Sequence, residues 1–143
     1  MPKWSKKQGY DSDSKWESKL KEGIFKDLEY HPEKISYVMY HTYEPDWVLE
    51  EAVENDRHEQ YIFKTYIEAK GAFREASEMA KYVAVDKTLD HDREELVFLF
   101  MRPDAPIYFR AKRKDGTKIT HRQWCEKNNF RCFSEKTIHE LIG

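Results

Sequence analysis

Three residues of this chain carry chemistry in a telling order. Pro45-Asp46 is followed 22 positions later by Glu68, with Lys70 two residues further on. Two carboxylates suit one hard cation such as Mg²⁺, which takes one or two carboxylates and keeps several waters. A lysine beside them can orient the attacking water and stabilise charge developing on a phosphate. The set points to metal-assisted cleavage of a phosphodiester, with Mn²⁺ as the natural substitute for Mg²⁺. Glu17 is a further candidate, since a third carboxylate would allow a second metal. Its competing role is that of a helix-surface glutamate paired with Lys21 at i+4. His41 could contact phosphate, or be hydrogen-bonded in a turn.

The elements that must position these residues follow from periodicity. Ser12, Asp13 or Ser14 can cap a helix running to about Glu29. Trp16, Leu20, Ile24 and Leu28, with Phe25 alongside, give that helix one apolar face. His31-Pro32 stops it. Lys34–Tyr40 reads as a strand, and Asp46-Trp47-Val48-Leu49 begins another. Residues 50–59 read as an acidic connection. Gln60–Lys70 is the longest strand candidate; Glu68 and Lys70 point to one side, Ile67 and Ala69 to the other. Phe73 to about Lys87 fits a helix with Phe73, Ala76, Ala80, Val83 and Ala84 on one side. Glu94–Met101 is an apolar strand buried on both faces. Ile107–Ala111 reads as a further strand, and Asp115-Gly116 as a turn. Thr120 with Gln123 forms a capping box for a short helix to Asn128. Phe130–Phe133 is a short strand and Ser134–Ile142 a final helix. This order is mixed α/β.

Length and charge bound the rest. The 143 residues, with 15% aromatics, suffice for one domain over 13–143, preceded by a flexible basic arm over 1–12. No apolar run is long enough to span a bilayer, and the start lacks the apolar stretch of a signal peptide, so a cytoplasmic protein is expected. Cys125 and Cys132 are too few for a disulfide framework, and the six histidines lack zinc spacing. Five glycines leave no phosphate loop of the nucleotide-hydrolase kind. The net charge of −2 hides a strong pattern. Residues 44–59 hold seven acids against Arg57, whereas residues 108–143 hold nine Lys/Arg against four acids. Arg110, Lys112, Arg113 and Lys114, and at the other end Lys6 and Lys7, are candidate phosphate contacts on DNA. A solvated hairpin explains the first group equally well.

Four segments, taken together, resemble a known family. His41-Thr42-Tyr43-Glu44-Pro45-Asp46-Trp47-Val48-Leu49 is similar to the core motif of the bacteriophage endonuclease I family, the phage-type Holliday-junction resolvases. Ile67-Glu68-Ala69-Lys70-Gly71 is similar to its Glu-x-Lys-Gly. Trp124-Cys125-Glu126-Lys127 resembles its aromatic-Cys-Glu-Lys, and Ser14-Lys15-Trp16-Glu17 the head of its first helix. The resemblance implies a PD-(D/E)xK nuclease core, a mixed sheet flanked by helices. It implies an intertwined homodimer, with residues 31–41 as the β bridge between subunits. Glu17 of one subunit would then complete the site of Asp46, Glu68 and Lys70 in its partner. The implied activity is Mg²⁺-dependent resolution of four-way DNA junctions by paired nicks, in a phage-encoded or prophage-derived protein of the host cytoplasm.

The chain also departs from the pattern. The spacing from Asp46 to Glu68 is longer than in the family, and the extra residues fall in the acidic stretch 50–59. Where the family carries a basic run after Glu-x-Lys-Gly, this chain has Glu78-Met79-Ala80-Lys81. Two alternatives therefore stand beside junction resolution. One is a PD-(D/E)xK nuclease acting on duplex or transposon ends, marked by equal cleavage of junction, flap and duplex. The other is a non-catalytic junction-binding protein, marked by binding without nicking.

Overall fold

The computed structural model describes residues 14–31 and 33–143. The basic arm with Lys6 and Lys7, and the caps Ser12 and Asp13, lie outside the described residues. The chain divides into two units, Met1–His41 and Thr42–Gly143.

In the first unit, α1 covers residues 14–22, shorter than the helix expected to reach Glu29. Gly23 N–H makes the last α-type bond, to Lys19 O at 2.9 Å. Phe25 N then reaches back five residues to Leu20 O, and Lys26 N only three, to Gly23 O. Glycine is a poor helix former, and the chain leaves the α geometry at Gly23. The expected apolar face is present but uncovered: Trp16, Ile24 and Leu28 are exposed. The strand expected over Lys34–Tyr40 does not form. Residues 33–41 have no regular structure, and Ile35, Tyr37, Val38, Met39 and Tyr40 are exposed. β propensity describes fit to a pleated surface, and among the described residues of the first unit there is no strand to provide one.

The second unit holds a four-stranded mixed sheet in the order β1-β2-β3-β4. β1 (Trp47–Glu54) runs antiparallel to β2 (Gln60–Lys70). α2 (Ala76–Thr88) crosses over to β3 (Glu94–Phe100), parallel to β2; α3 (His121–Lys127) leads to β4 (Cys132–Phe133), parallel to β3. A short α4 (His139–Ile142) ends the chain, less helix than expected over Ser134–Ile142. Residues 50–54, expected in a connection, are strand. Asn55 forms the turn instead: its Oδ1 accepts from the backbone N–H of Arg57 and Glu59, both at 2.9 Å. An edge strand tolerates the exposed glutamates, and Glu50 stands opposite Lys64.

The two faces of the sheet are covered separately. One carries the main core, where α2 and α3 bring Met79, Tyr82, Trp124 and Cys125 onto Leu96, Phe98 and Phe100. The other carries Ile67, Val97 and Phe133, with Leu141 of α4 against them. β3 is buried on both faces as its unbroken apolar run requires. Phe73, Phe98 and Phe100 are fully buried, each stabilising the fold by roughly 2–3 kcal/mol relative to exposure.

Two details correct the expected helix over Phe73–Lys87. It starts at Ala76, because Phe73 turns into the core and gives its N–H to His121 Nε2 at 3.1 Å. Its buried face carries Met79 and Tyr82, while Ala76, Ala80 and Ala84 are exposed. Burying the larger side chains removes more apolar surface from water. The strand expected over Ile107–Ala111 is also absent; only an isolated bridge, Pro106↔Thr120, forms there. Pro103 and Pro106 have no N–H to give a ladder. The capping box is as expected: Thr120 Oγ1 accepts from Gln123 N at 3.1 Å, and Gln123 Oε1 from Thr120 N at 3.0 Å.

Candidate active site

Antiparallel pairing of β1 with β2 brings two of the three chemical residues together. Trp47 pairs with Ile67, so one step outward along the same register sets Asp46 opposite Glu68. Asp46 is exposed, and its Oδ2 accepts from Ala69 N at 2.9 Å, which fastens the start of β1 to the end of β2. Glu68 and Lys70 share the face of β2 that carries the main core, level with Phe98 and Phe100 of β3.

Glu68 is buried, and both its oxygens are hydrogen-bonded. Tyr43 Oη donates to Oε1 at 2.5 Å, and Tyr82 Oη donates to Oε2 at 3.1 Å. Lys70 Nζ stands 3.9 Å from Oε2 and makes its closer bond, 3.0 Å, to Glu78 Oε2 on α2. Glu78 Oε1 accepts from Arg74 N at 3.2 Å. Lys81 Nζ lies 5.6 Å from the Tyr43 ring centroid and 5.0 Å from that of Tyr82, within cation–π range.

The titration behaviour follows from this crowding. Burial pushes the Tyr82 hydroxyl up to about 12, aided by the Glu68 charge against the opposing pull of Lys70. Burial, the hydrogen bond to Glu68 and the charges of Glu68 and Asp46 raise Tyr43 further. Burial alone would lower Lys70, but interactions with Tyr82 and Glu78 outweigh it and leave the ammonium above its ordinary value. Both phenols are therefore donors, and Lys70 is a cation, at neutral pH.

Other sequence candidates fall elsewhere. Glu17 lies in the first unit, exposed, and accepts a hydrogen bond from Tyr30 Oη there. His41, the last residue of that unit, is exposed and outside any helix or strand. Arg110 and Arg113 line a cleft of about 430 Å³ with Gln123 and Lys127. Arg113 is held at the turn by Thr117 Oγ1 at 2.8 Å; Lys112 and Lys114 are exposed beside it. Among the described residues, no group of three or more His, Cys, Asp or Glu converges in a way that could hold a metal ion. Asp46 is fastened to the residue next to Glu68, and Mg²⁺ takes as few as one or two carboxylates with its remaining waters.

Tyr43, Tyr82, Glu78 and Lys81 are the partners that sequence reasoning left without a role. Tyr43 sits inside the His-Thr-Tyr lead-in, so its position was visible. Glu78 and Tyr82 are four apart on α2 and share a face, which becomes a signal once the rotation of that helix is known. No protein-family model matches the chain, and a search of curated proteins found no match. Among the described residues, no helix is long and apolar enough to cross a membrane.

Proposed function

We propose that this protein is a Mg²⁺-dependent endonuclease of PD-(D/E)xK type that resolves branched DNA. The observation that supports the proposal is the bond from Ala69 N to Asp46 Oδ2, which fastens Asp46 to the segment of β2 that carries Glu68 and Lys70 on one face. An antiparallel pair followed by a helix crossover to a parallel strand is a framework on which such a site can be built. Asp46 and Glu68 would hold the metal, and Glu17 of a partner protomer is proposed as the third carboxylate. Bound there, Mg²⁺ would supply positive charge against the phosphate and make water more acidic. Lys70 adds a fixed cation on the same face, suited to a developing phosphate charge. The cleft of Arg110, Arg113 and Lys127 is a sequence-independent contact for the DNA backbone.

The homodimer is part of the proposal. Residues 33–41 expose five large apolar side chains, and among the described residues β1 is an edge strand with no neighbour on its outer side. An extended segment without a partner and an edge without a partner satisfy each other when two copies meet. Two sites at a fixed separation can cut two symmetry-related strands.

Purified protein is incubated with a four-way junction, a flap and a plain duplex in Mg²⁺. Preferential paired nicking of the junction, abolished in Lys70→Ala, is the expected result. No nicking at all, or nicking that survives Lys70→Ala, refutes the nuclease; equal cleavage of all three substrates refutes junction selectivity. Sedimentation of the same protein checks the dimer.

A further inference from the structure

The two oxygens of Glu68 are held by phenols of very different freedom. Tyr82, on the Oε2 side, is 1% exposed. Its ring meets Phe98 edge-on at 5.1 Å and leans on Phe73 at 6.1 Å. It cannot leave Glu68 without opening the main core. Tyr43, on the Oε1 side, precedes β1 in a stretch without regular structure and is only half-buried. It packs at the margin of the main core, with an edge-on approach to Tyr82 at 5.9 Å and the Lys81 ammonium near its ring.

Tyr43 lies three residues before Asp46, whose Oδ2 is fastened to Ala69 N next to Glu68, and its hydroxyl takes up Glu68 Oε1. A phenol proton and a cation compete for the same carboxylate lone pairs. We propose that the Tyr43 hydroxyl occupies the Glu68 Oε1 position that a divalent cation would use, and that it withdraws when the cation binds. Tyr43 is then a positioning residue. It keeps Glu68 satisfied in the metal-free protein and lowers the affinity for metal by the strength of one hydrogen bond to a carboxylate. Tyr82 keeps its hold on Oε2 throughout and fixes the orientation of Glu68. The inference rests on the nuclease reading for the presence of a cation.

Mn²⁺ binding is measured by titration calorimetry on the full chain, for the native protein, Tyr43→Phe and Tyr82→Phe. A ¹³C-tyrosine NMR titration with Mg²⁺ follows the Tyr43 and Tyr82 rings. Tyr43→Phe is expected to bind Mn²⁺ about tenfold more tightly, because one charge-assisted hydrogen bond no longer has to be broken. Tyr82→Phe is expected to bind no more tightly than the native protein. The Tyr43 signal should shift with Mg²⁺ and the Tyr82 signal should stay nearly in place. Equal or weaker binding by Tyr43→Phe, or equal tightening in both variants, overturns the proposal and leaves the nuclease reading intact. Failure of all three proteins to bind Mn²⁺ at millimolar concentration removes the cation itself, and the nuclease reading falls with it.

Discussion

Lys70 is paired with Glu78: its Nζ lies 3.0 Å from Glu78 Oε2. The same ammonium is 3.9 Å from Glu68, so α2 supplies the nearer carboxylate. Both partners are about one-fifth exposed, so the pair is only partly screened by water. Glu78 thereby steadies the one lysine proposed to face the phosphate.

Replacing Glu78 by Gln should destabilise the fold by about 1 kcal/mol at neutral pH, from loss of a charge-assisted bond. The pH dependence follows from the raised Lys70 value. Stability from a raised amine is fully present below its ordinary 10.5 and is lost as pH rises through the higher folded value. The gap between native protein and Glu78→Gln should therefore stay constant from neutral pH to about pH 10 and shrink above it. Urea unfolding across that range checks this. A gap that widens with pH would mean that Lys70 is not its source.

Asp46→Asn separates structure from chemistry at one position. The Asn oxygen can still accept the Ala69 N–H, so stability should change by less than about 1 kcal/mol. The side chain loses its charge, and junction nicking should fall by at least about a hundredfold. Thermal melting together with single-turnover nicking tests both halves. A variant that melts normally and nicks normally would remove Asp46 from the site.

What could be read from the chain depended on how local the determinant was. The Thr120–Gln123 box was legible because both partners lie within one turn. The shared face of Glu68 and Lys70 followed from the two-residue period of a strand. The meeting of Asp46 with Glu68 needed a register, which the turn at Asn55 sets and composition does not reveal. Tyr82 was hidden because Ala76, Ala80 and Ala84 keep helical spacing and suggested the wrong face of α2. Residues 34–40 have the side chains of a strand, but pairing depends on a partner outside the segment.

Cys125 and Cys132 should differ sharply in reactivity. Cys125 is fully buried on α3, while Cys132 on β4 is half-buried. The neighbouring Cys125 thiol draws the Cys132 thiol below its usual range; burial opposes this, and the Arg122 charge assists. The same pairing and burial push Cys125 well up. At neutral pH, iodoacetamide should alkylate Cys132 at least about tenfold faster than Cys125 in the native fold. Mass spectrometry of quenched samples reads the ratio, which should approach one in denaturant. Faster labelling of Cys125 in the native fold would reverse the assignment.

His121 ties the loop after Lys70 to the loop after β3. Phe73 N donates to Nε2 at 3.1 Å, so Nε2 carries a lone pair, and Nδ1 is the protonated nitrogen that donates to Ala105 O at 2.8 Å. The ring also stacks on Phe73 at 5.4 Å and meets Phe100 at 5.0 Å, with 1% of the residue exposed. His121→Ala opens a cavity and strands the Phe73 N–H, while Ala105 O keeps the backbone N–H of residue 121, so it should cost about 3–5 kcal/mol. His121→Phe refills the cavity but still strands the Phe73 N–H, so it should still cost about 2 kcal/mol. Guanidinium unfolding of the two variants separates packing from pairing. Full recovery in His121→Phe would show that the ring matters only for its volume. The expected partial recovery would mean that its Nε2 fixes Phe73, and through it the backbone just beyond Lys70.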